Sequence, residues 1–244
     1  MFKFTEPCVI GICIARPSKN IKSPYVADIH LENDTCTYMA HSPALGLGNL
    51  IKPGSRLYLV KSTNPKSKTH YSIKAVYDTK YDTWVGSTPL DANRLFEWGY
   101  KNNLFKDSFP LGKLKREVTF QESRFDFCIN SEIFIEVKCV PLRKENYSYF
   151  PEGYRKSIKD TVSPRAIKHI NELISCVKEN NYQSHLVFIV FRNDTDYFTP
   201  NSEDELFCET LKNAVQSGVH VHVFAFECSY EGYTFSKELK LNIC

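Results

Sequence analysis

The chain has 244 residues, 42% of them hydrophobic and 14% aromatic, enough to bury a sizeable core, which excludes a disordered tail. A formal net charge of +3 permits an anionic partner without demanding one. Nine cysteines, an odd number without any Cys-x-x-Cys pair, exclude a disulfide framework or a structural zinc site of ordinary spacing and point to a reducing compartment.

The first apolar run, CVIGICIA from Cys8, is too short to span a bilayer and lacks a secretory pattern, so it reads as the first β-strand. No membrane association is expected, and a cytosolic or nuclear location follows. The segments YVADIHLEN, CTYMAHSP and SRLYLVKST and the hairpin YSIKAVYDTKYDTWVGS continue as short strands between Pro, Asn, Gly and Ser clusters. Five or six such strands predict a small OB-like β-barrel over residues 1–87. A basic stretch, KSTNPKSKTHY, places Lys61, Lys66 and Lys68 at a turn of this unit, with Lys52 and Arg56 close in sequence. Phosphate contact and a solvated charged loop are the two readings of it.

From residue 88 to 244 the pattern becomes α/β. DANRLFEWGYKN predicts a helix capped by Asp91, and KREVTF, SRFDFCI and IFIEVKCV predict three strands. SPRAIKHINELISCVKENN predicts a helix opened by Ser163 and Pro164, with Ile167, Ile170, Ile174 and Val177 on its apolar face. HLVFIVF reads as a strand buried on both faces. SEDELFCETLKNAVQSG reads as a helix with a Ser202–Glu205 capping box, closed at Gly218, and VHVHVFAF as the final strand.

The charges within the hairpin SRFDFCINSEIFIEVKCV carry the chemistry. Alternation places Arg124 with Asp126 and Glu136 with Lys138, opposite Phe125, Phe127 and Ile129 and opposite Ile133, Ile135, Val137 and Cys139. The apolar sets share a side only if Asn130–Glu132 form a three-residue loop, which sets Asp126 across from Glu136. Opposed carboxylates repel unless a cation lies near. Two of them with a lysine two residues on suit Mg²⁺ or Mn²⁺ and phosphodiester hydrolysis; an amphipathic hairpin with a wet charged face is the plainer alternative. His220 and His222 share one face of their strand as a metal pair would, but packed histidines explain that spacing more simply. Gly46–Gly48 reads as a turn, since no strand and helix flank it as in a dinucleotide loop.

These residues resemble a known family. SRFDF, IEVKCVPL, YFPE, KHINELI, FIVFRND and GVHVHVF, together with AHSPALGLGNLIKPGSRLYLVKSTNPKSKTHY and ANRLFEWGY, are similar in order and content to the sugar fermentation stimulation protein A (SfsA) family over nearly the whole chain. The resemblance implies an N-terminal OB-like barrel and a C-terminal αβββαβ domain like the PD-(D/E)XK nucleases. It further implies nucleic acid as the partner, DNA by the family's association. Asp126 and Glu136 match the metal ligands of that nuclease superfamily, Lys138 its lysine, and Glu97 an acidic helix position that adds a ligand in some members. Lys168 matches a basic position of the family that faces the site. Arg124, by its place beside Asp126 on the charged face, has two readings, a contact to the scissile strand's phosphate and a pairing with an acid. The chain departs from the pattern at Ser42-Pro43-Ala44-Leu45-Gly46, where an asparagine and a threonine are lost. It departs again over FPEGYRKSIKDTVSPRAIKHI, 150–170, with Glu152 for an aspartate, a longer loop, and Ile167 for a glutamine. A metal-dependent nuclease and a non-catalytic DNA-binding regulator on the same fold both follow, and oligomeric state stays open, a homodimer included.

Overall fold

A computed structural model describes residues 1–44, 47, 50–120, 123–153, 160–180 and 182–243, with the side chains of 179 and 180 excepted. The glycines of the Gly46–Gly48 turn and residues 154–159 of the long loop lie outside the described residues. Among the described residues no helix is long and apolar enough to cross a membrane.

Strand β1 (Phe2–Lys3) is followed by β2 (Cys8–Ala15), β3 (Val26–Leu31), β4 (Asp34–His41), β5 (Arg56–Lys61), β6 (Tyr71–Asp78) and β7 (Thr83–Gly86). The order β4-β3-β2-β5-β6 closes on itself through a parallel β4–β6 contact, Ala40 to Tyr71 and His41 to Ser72. That closure is the OB-like barrel the strand spacing predicts. Alternating residues fill its interior, among them Cys13, Ile29, Leu57, Leu59, Ile73 and Val76. β1 does not belong to it: the first pairing segment of the chain is Phe2–Lys3, which joins a different sheet.

Helix α1 (Pro89–Lys101) leads into β8 (Leu114–Phe120), β9 (Ser123–Ile129), β10 (Ile133–Val140), β11 (Arg143–Lys144) and β12 (Tyr147–Phe150). Then come α2 (Pro164–Asn180), β13 (Gln183–Val190), β14 (Tyr197–Pro200), α3 (Glu205–Gln216), β15 (His220–Ser229), β16 (Gly232–Glu238) and β17 (Lys240–Leu241). The main sheet has the order β1-β16-β15-β13-β10-β9-β8. As expected of HLVFIVF, β13 is central, parallel to β10 and β15 and buried. VHVHVFAF is not the last strand, because β16 hairpins back on β15 and β17 follows. β11, β12, β14 and β17 form a small sheet of their own from segments too short to show a period.

Two helix starts differ from expectation. Thr88 stands at the cap of α1 and Pro89 at its first position; Asp91 lies inside, buried, with Arg94 at 3.0 Å and Lys74 at 3.7 Å. α3 is capped by Asp204, whose Oδ1 accepts from Phe207 N at 3.1 Å, rather than by Ser202. Oδ2 of Asp204 accepts from Thr161 and Val162 as well, so this residue caps one helix and ties down the approach to another.

α2 and α3 cover one face of the main sheet, around Phe134, Phe188, Val190 and Phe207. The other face buries α1 (Ala92, Leu95, Phe96) and the outer wall of the barrel (Cys8, Tyr58, Val60, Ala75) in one continuous core. Contact is closest at Gly86, whose N–H donates to Phe191 O at 3.2 Å and where a methyl group would strike the Tyr233 hydroxyl. Arg192, 1% exposed, reaches from the sheet to Asp78 of the barrel at 3.1 Å.

Candidate active site

The site grows from the β9–β10 hairpin. Ile129 pairs with Ile133, Cys128 with Phe134 and Phe127 with Ile135, the register that the charge pattern selects. The turn holds Asn130 and Ser131 at φ 54° and 64°. Past Ile135 the ladder stops. The Val137 N–H donates instead to Asp126 Oδ2 at 2.8 Å. On the other flank, Arg116 pairs with Phe127 and Val118 with Phe125, leaving Glu117 at φ 54° unpaired across from Asp126. The alternation expected for β9 breaks here too. Phe125 packs with Phe134 under α2, whereas Phe127 packs with Phe96 under α1. Asp126 therefore sits where β9 twists away from both neighbours, and its carboxylate takes up the backbone donor that the broken ladder frees.

Glu136 is 2% exposed and Asp126 half-buried, so the hairpin does not present both acids on a wet face. Glu136 Oε1 receives the Lys138 ammonium and meets His169 Nδ1 of α2. Its Oε2 is buried with no hydrogen-bond partner among the described residues. Asp126 Oδ1 accepts from Asn93 Nδ2 of α1 at 2.7 Å. One carboxylate is thus oriented from each helical layer.

Burial and the charge of Glu136 push the Asp126 carboxyl up, outweighing its bonds from Val137 and Asn93 and the attraction of Lys138. For Glu136 burial also pushes upward, but the His169 bond and the charges of Lys138 and His169 together hold it below the usual carboxylate range. The pair is asymmetric, with Glu136 firmly anionic and Asp126 short of positive charge.

Asn93 and His169 are the participants that sequence reading missed. The resemblance pointed to Lys168. Burial in α2 centres on Ala166, Ile170 and Leu173, about one position round from a face running from Ile167 to Val177. That rotation turns His169 inward and leaves Lys168 outside, 3.7 Å from Glu172. Buried spacing at 166, 169, 170 and 173 was the available signal. Asn93, an uncharged residue 33 positions from Asp126, gave none.

Glu97, one turn after Asn93, has its oxygens on Lys101 at 2.8 Å and Arg116 at 3.1 Å; Asn93 is the α1 residue that touches Asp126. Arg124 is exposed and closes on Glu117 at 2.9 Å. Arg56 lies 3.8 Å from Glu32 at the start of β5. Lys61, Lys66 and Lys68 are exposed at its other end and in the following turn, about 16 Å away at 3.3 Å per residue. Of the six basic candidates, Arg56, Arg124 and Lys168 each pair with a glutamate, while Lys61, Lys66 and Lys68 are exposed. His222 Nε2 lies 3.0 Å from His185 Nδ1, and His220 stacks on His185, so these histidines are packed and hydrogen-bonded. Among the described residues no group of three or more His, Cys, Asp or Glu is arranged to hold a metal ion.

Comparison with known proteins places the chain in a lineage. The model of the sugar fermentation stimulation protein RE domain matches residues 91–232. The sugar fermentation stimulation protein homolog of Ruminiclostridium cellulolyticum is 33% identical over 91% of this chain and 90% of its own. The homolog of Prochlorococcus marinus is 31% identical over 97% of each. The structure of Pyrococcus furiosus SfsA in complex with Ca²⁺ aligns over the whole of both chains, with a TM-score of 0.78 and 25% identity. The chain belongs to the sugar fermentation stimulation protein (SfsA) family.

Proposed function

We propose that this chain is a divalent-metal-dependent phosphodiesterase acting on nucleic acid, DNA first, with residues 1–87 holding the polymer and 88–244 carrying the site. The observation that carries the reading is the facing of Asp126 and Glu136 at the broken ladder, with Glu136 Oε2 buried and unpartnered. A buried carboxylate oxygen without a donor wants a cation. Two carboxylates match Mg²⁺ or Mn²⁺, which bind one or two protein acids and fill their remaining positions with water and phosphate oxygens. The Pyrococcus relative, a Ca²⁺ complex, supports hard-cation binding within the family.

A cation bound there supplies Lewis-acid polarisation of the phosphate and a more acidic bound water. The protein's part is positioning. Asn93 and the Val137 N–H fix the Asp126 carboxylate, and His169 fixes Glu136 from the opposite layer. Lys138, two residues along the same face and held on Glu136, places a positive charge beside the phosphate position. Glu97, Arg124 and Lys168 stand further out and serve phosphate or structural contacts.

The test is cleavage of labelled single- and double-stranded DNA and RNA with Mg²⁺, Mn²⁺ or EDTA, with Asp126→Asn in parallel. Metal-dependent cleavage lost in the variant is the expected result. Nucleic-acid binding without cleavage in either protein would leave the second reading, a non-catalytic DNA-binding regulator, to which the loss of the supporting glutamine at Ile167 inclines.

A further inference from the structure

A second gathering of cationic and aromatic side chains lies where the barrel meets the small sheet, and of the six basic candidates Arg56 reaches it, 5.8 Å over the Tyr77 ring. A cleft of about 540 Å³ there is lined by Lys52, Lys80, Lys144, Tyr77, Tyr81 and Tyr149. The acid on its lining, Asp78, holds Arg192 at 3.1 Å. Asp194, behind it, holds Arg192 at 2.6 Å and Arg143 at 2.7 Å. Lys52, Lys80 and Lys144 are exposed, and no described carboxylate pairs with any of them. Arg56, Arg124 and Lys168, by contrast, each close on a glutamate. Lys61, Lys66 and Lys68 are likewise exposed and close on no described carboxylate, but they do not line the cleft.

Its aromatic wall is fixed in place. The Arg143 guanidinium lies 3.9 Å over the Tyr81 ring, with Arg192 at 5.3 Å and the Lys80 ammonium at 4.8 Å. Tyr149 is shared with a second cavity of about 310 Å³, bordered also by Pro89 and Cys139. Pro89 is four residues before Asn93, hence on the same side of α1 and one turn from the Asn93–Asp126 contact. Cys139 directly follows Lys138 and so points to the other face of β10. A chain laid along the cleft and over Tyr149 approaches the hairpin by way of Pro89, one turn from the Asn93–Asp126 contact. One acid, Glu152, borders this second cavity.

We infer that the cleft is a track for single-stranded nucleic acid, with phosphates along Lys52, Lys80 and Lys144 and bases against Tyr77, Tyr81 and Tyr149. A positive groove set with aromatic rings suits unpaired bases, which stack on such rings; in a duplex the base faces are already covered by their neighbours. That the track delivers its strand to Asp126 and Glu136 rests on the phosphodiesterase reading; the binding itself does not.

The test is fluorescence anisotropy in EDTA with labelled oligo-dT, oligo-rU and a DNA duplex of equal length, across a salt series. Both single strands should outbind the duplex, and the tighter of the two identifies the sugar preferred. The triple variant Lys52→Ala/Lys80→Ala/Lys144→Ala should weaken binding at least about tenfold and lower the salt slope by about 2, three contacts at roughly 0.7 each. Lys61→Ala/Lys66→Ala/Lys68→Ala should bind like the parent, and Glu152→Gln more tightly. Parent-like binding by the first triple, or preference for the duplex, overturns the inference. Photocrosslinking with iodouracil oligonucleotides gives a readout on the unmodified protein. Adducts at Tyr77, Tyr81 or Tyr149 support the track, and adducts confined to residues 61–71 overturn it. Asp126→Asn separates the two ideas: if it loses cleavage while the lysine triple binds normally, the track fails and the enzyme stands. If no protein cleaves but the triple loses binding, the reverse holds.

Discussion

At the residue scale, the site depends on polar contacts made across packed layers. His169 reaches Glu136 from α2, and its removal leaves a buried carboxylate with Lys138 as its single described partner. His169→Ala should weaken Mn²⁺ binding about 10- to 100-fold, the range for residues that orient a metal's carboxylate, read by titration calorimetry; an unchanged affinity would reduce His169 to packing. The histidine cluster makes a separate prediction. Burial, with the charges of neighbouring histidines, pushes His185 down to about 3 and His222 down to about 4. These are bases with depressed folded-state values, so between about 3 and the ordinary 6.5 the folded chain binds fewer protons than the unfolded one. Their contribution to stability is complete above pH 6.5 and declines as the pH falls towards those values. At pH 5 the loss for His185 alone is about 2 kcal/mol, from 1.36 kcal/mol per pH unit. Urea midpoints at pH 7 and pH 5 measure it, and His185→Phe should flatten the dependence.

At the scale of elements, Asp204 joins two parts of the C-terminal layer. It accepts from Phe207 N at the start of α3 and from Thr161 and Val162 just before α2. Asp204→Ala should destabilise by about 1–3 kcal/mol, a cap plus buried donors left unpaired. Ser202→Ala should fall within about 0.5 kcal/mol of the parent. Equal effects in thermal melts would restore the Ser202–Glu205 box. The roll of α2 matters for the same layer. A face centred on Ala166, Ile170 and Leu173 seats His169 over β10, and a helix rolled one position further would seat Lys168 there.

Across the whole molecule, the barrel and the main sheet share one apolar core through Tyr58, Val60, Phe96, Val187 and Phe226. Urea unfolding should accordingly follow a single transition by fluorescence and by far-ultraviolet dichroism; two separated transitions would mean that this core does not couple the units. Arg192 is the buried charge at that junction, held by Asp78 and Asp194. Arg192→Met should cost about 3–5 kcal/mol, because Asp78 is left buried without its cation. It should also disturb the cleft, where Arg192 lies over Tyr81.

Local periodicities account for what the sequence alone determined. Side-chain parity of Phe127, Ile129, Ile133 and Ile135 requires the odd loop; beyond it the alternation breaks at Phe125, and the tertiary structure sets Asp126 at the end of the ladder. The αβββαβ order and the buried β13 follow from runs of period two and 3.6. Tertiary structure decided whatever joins distant residues. Asn93 meets Asp126 because α1 lies across β9, and β1 pairs with β16 more than two hundred residues away. The lysine–tyrosine cleft draws on Lys52, Lys80 and Lys144, which no single element carries. Such contacts leave no repeat along the chain: they depend on how finished layers dock, a choice made by the shape and burial of whole faces rather than by the residues at the contact.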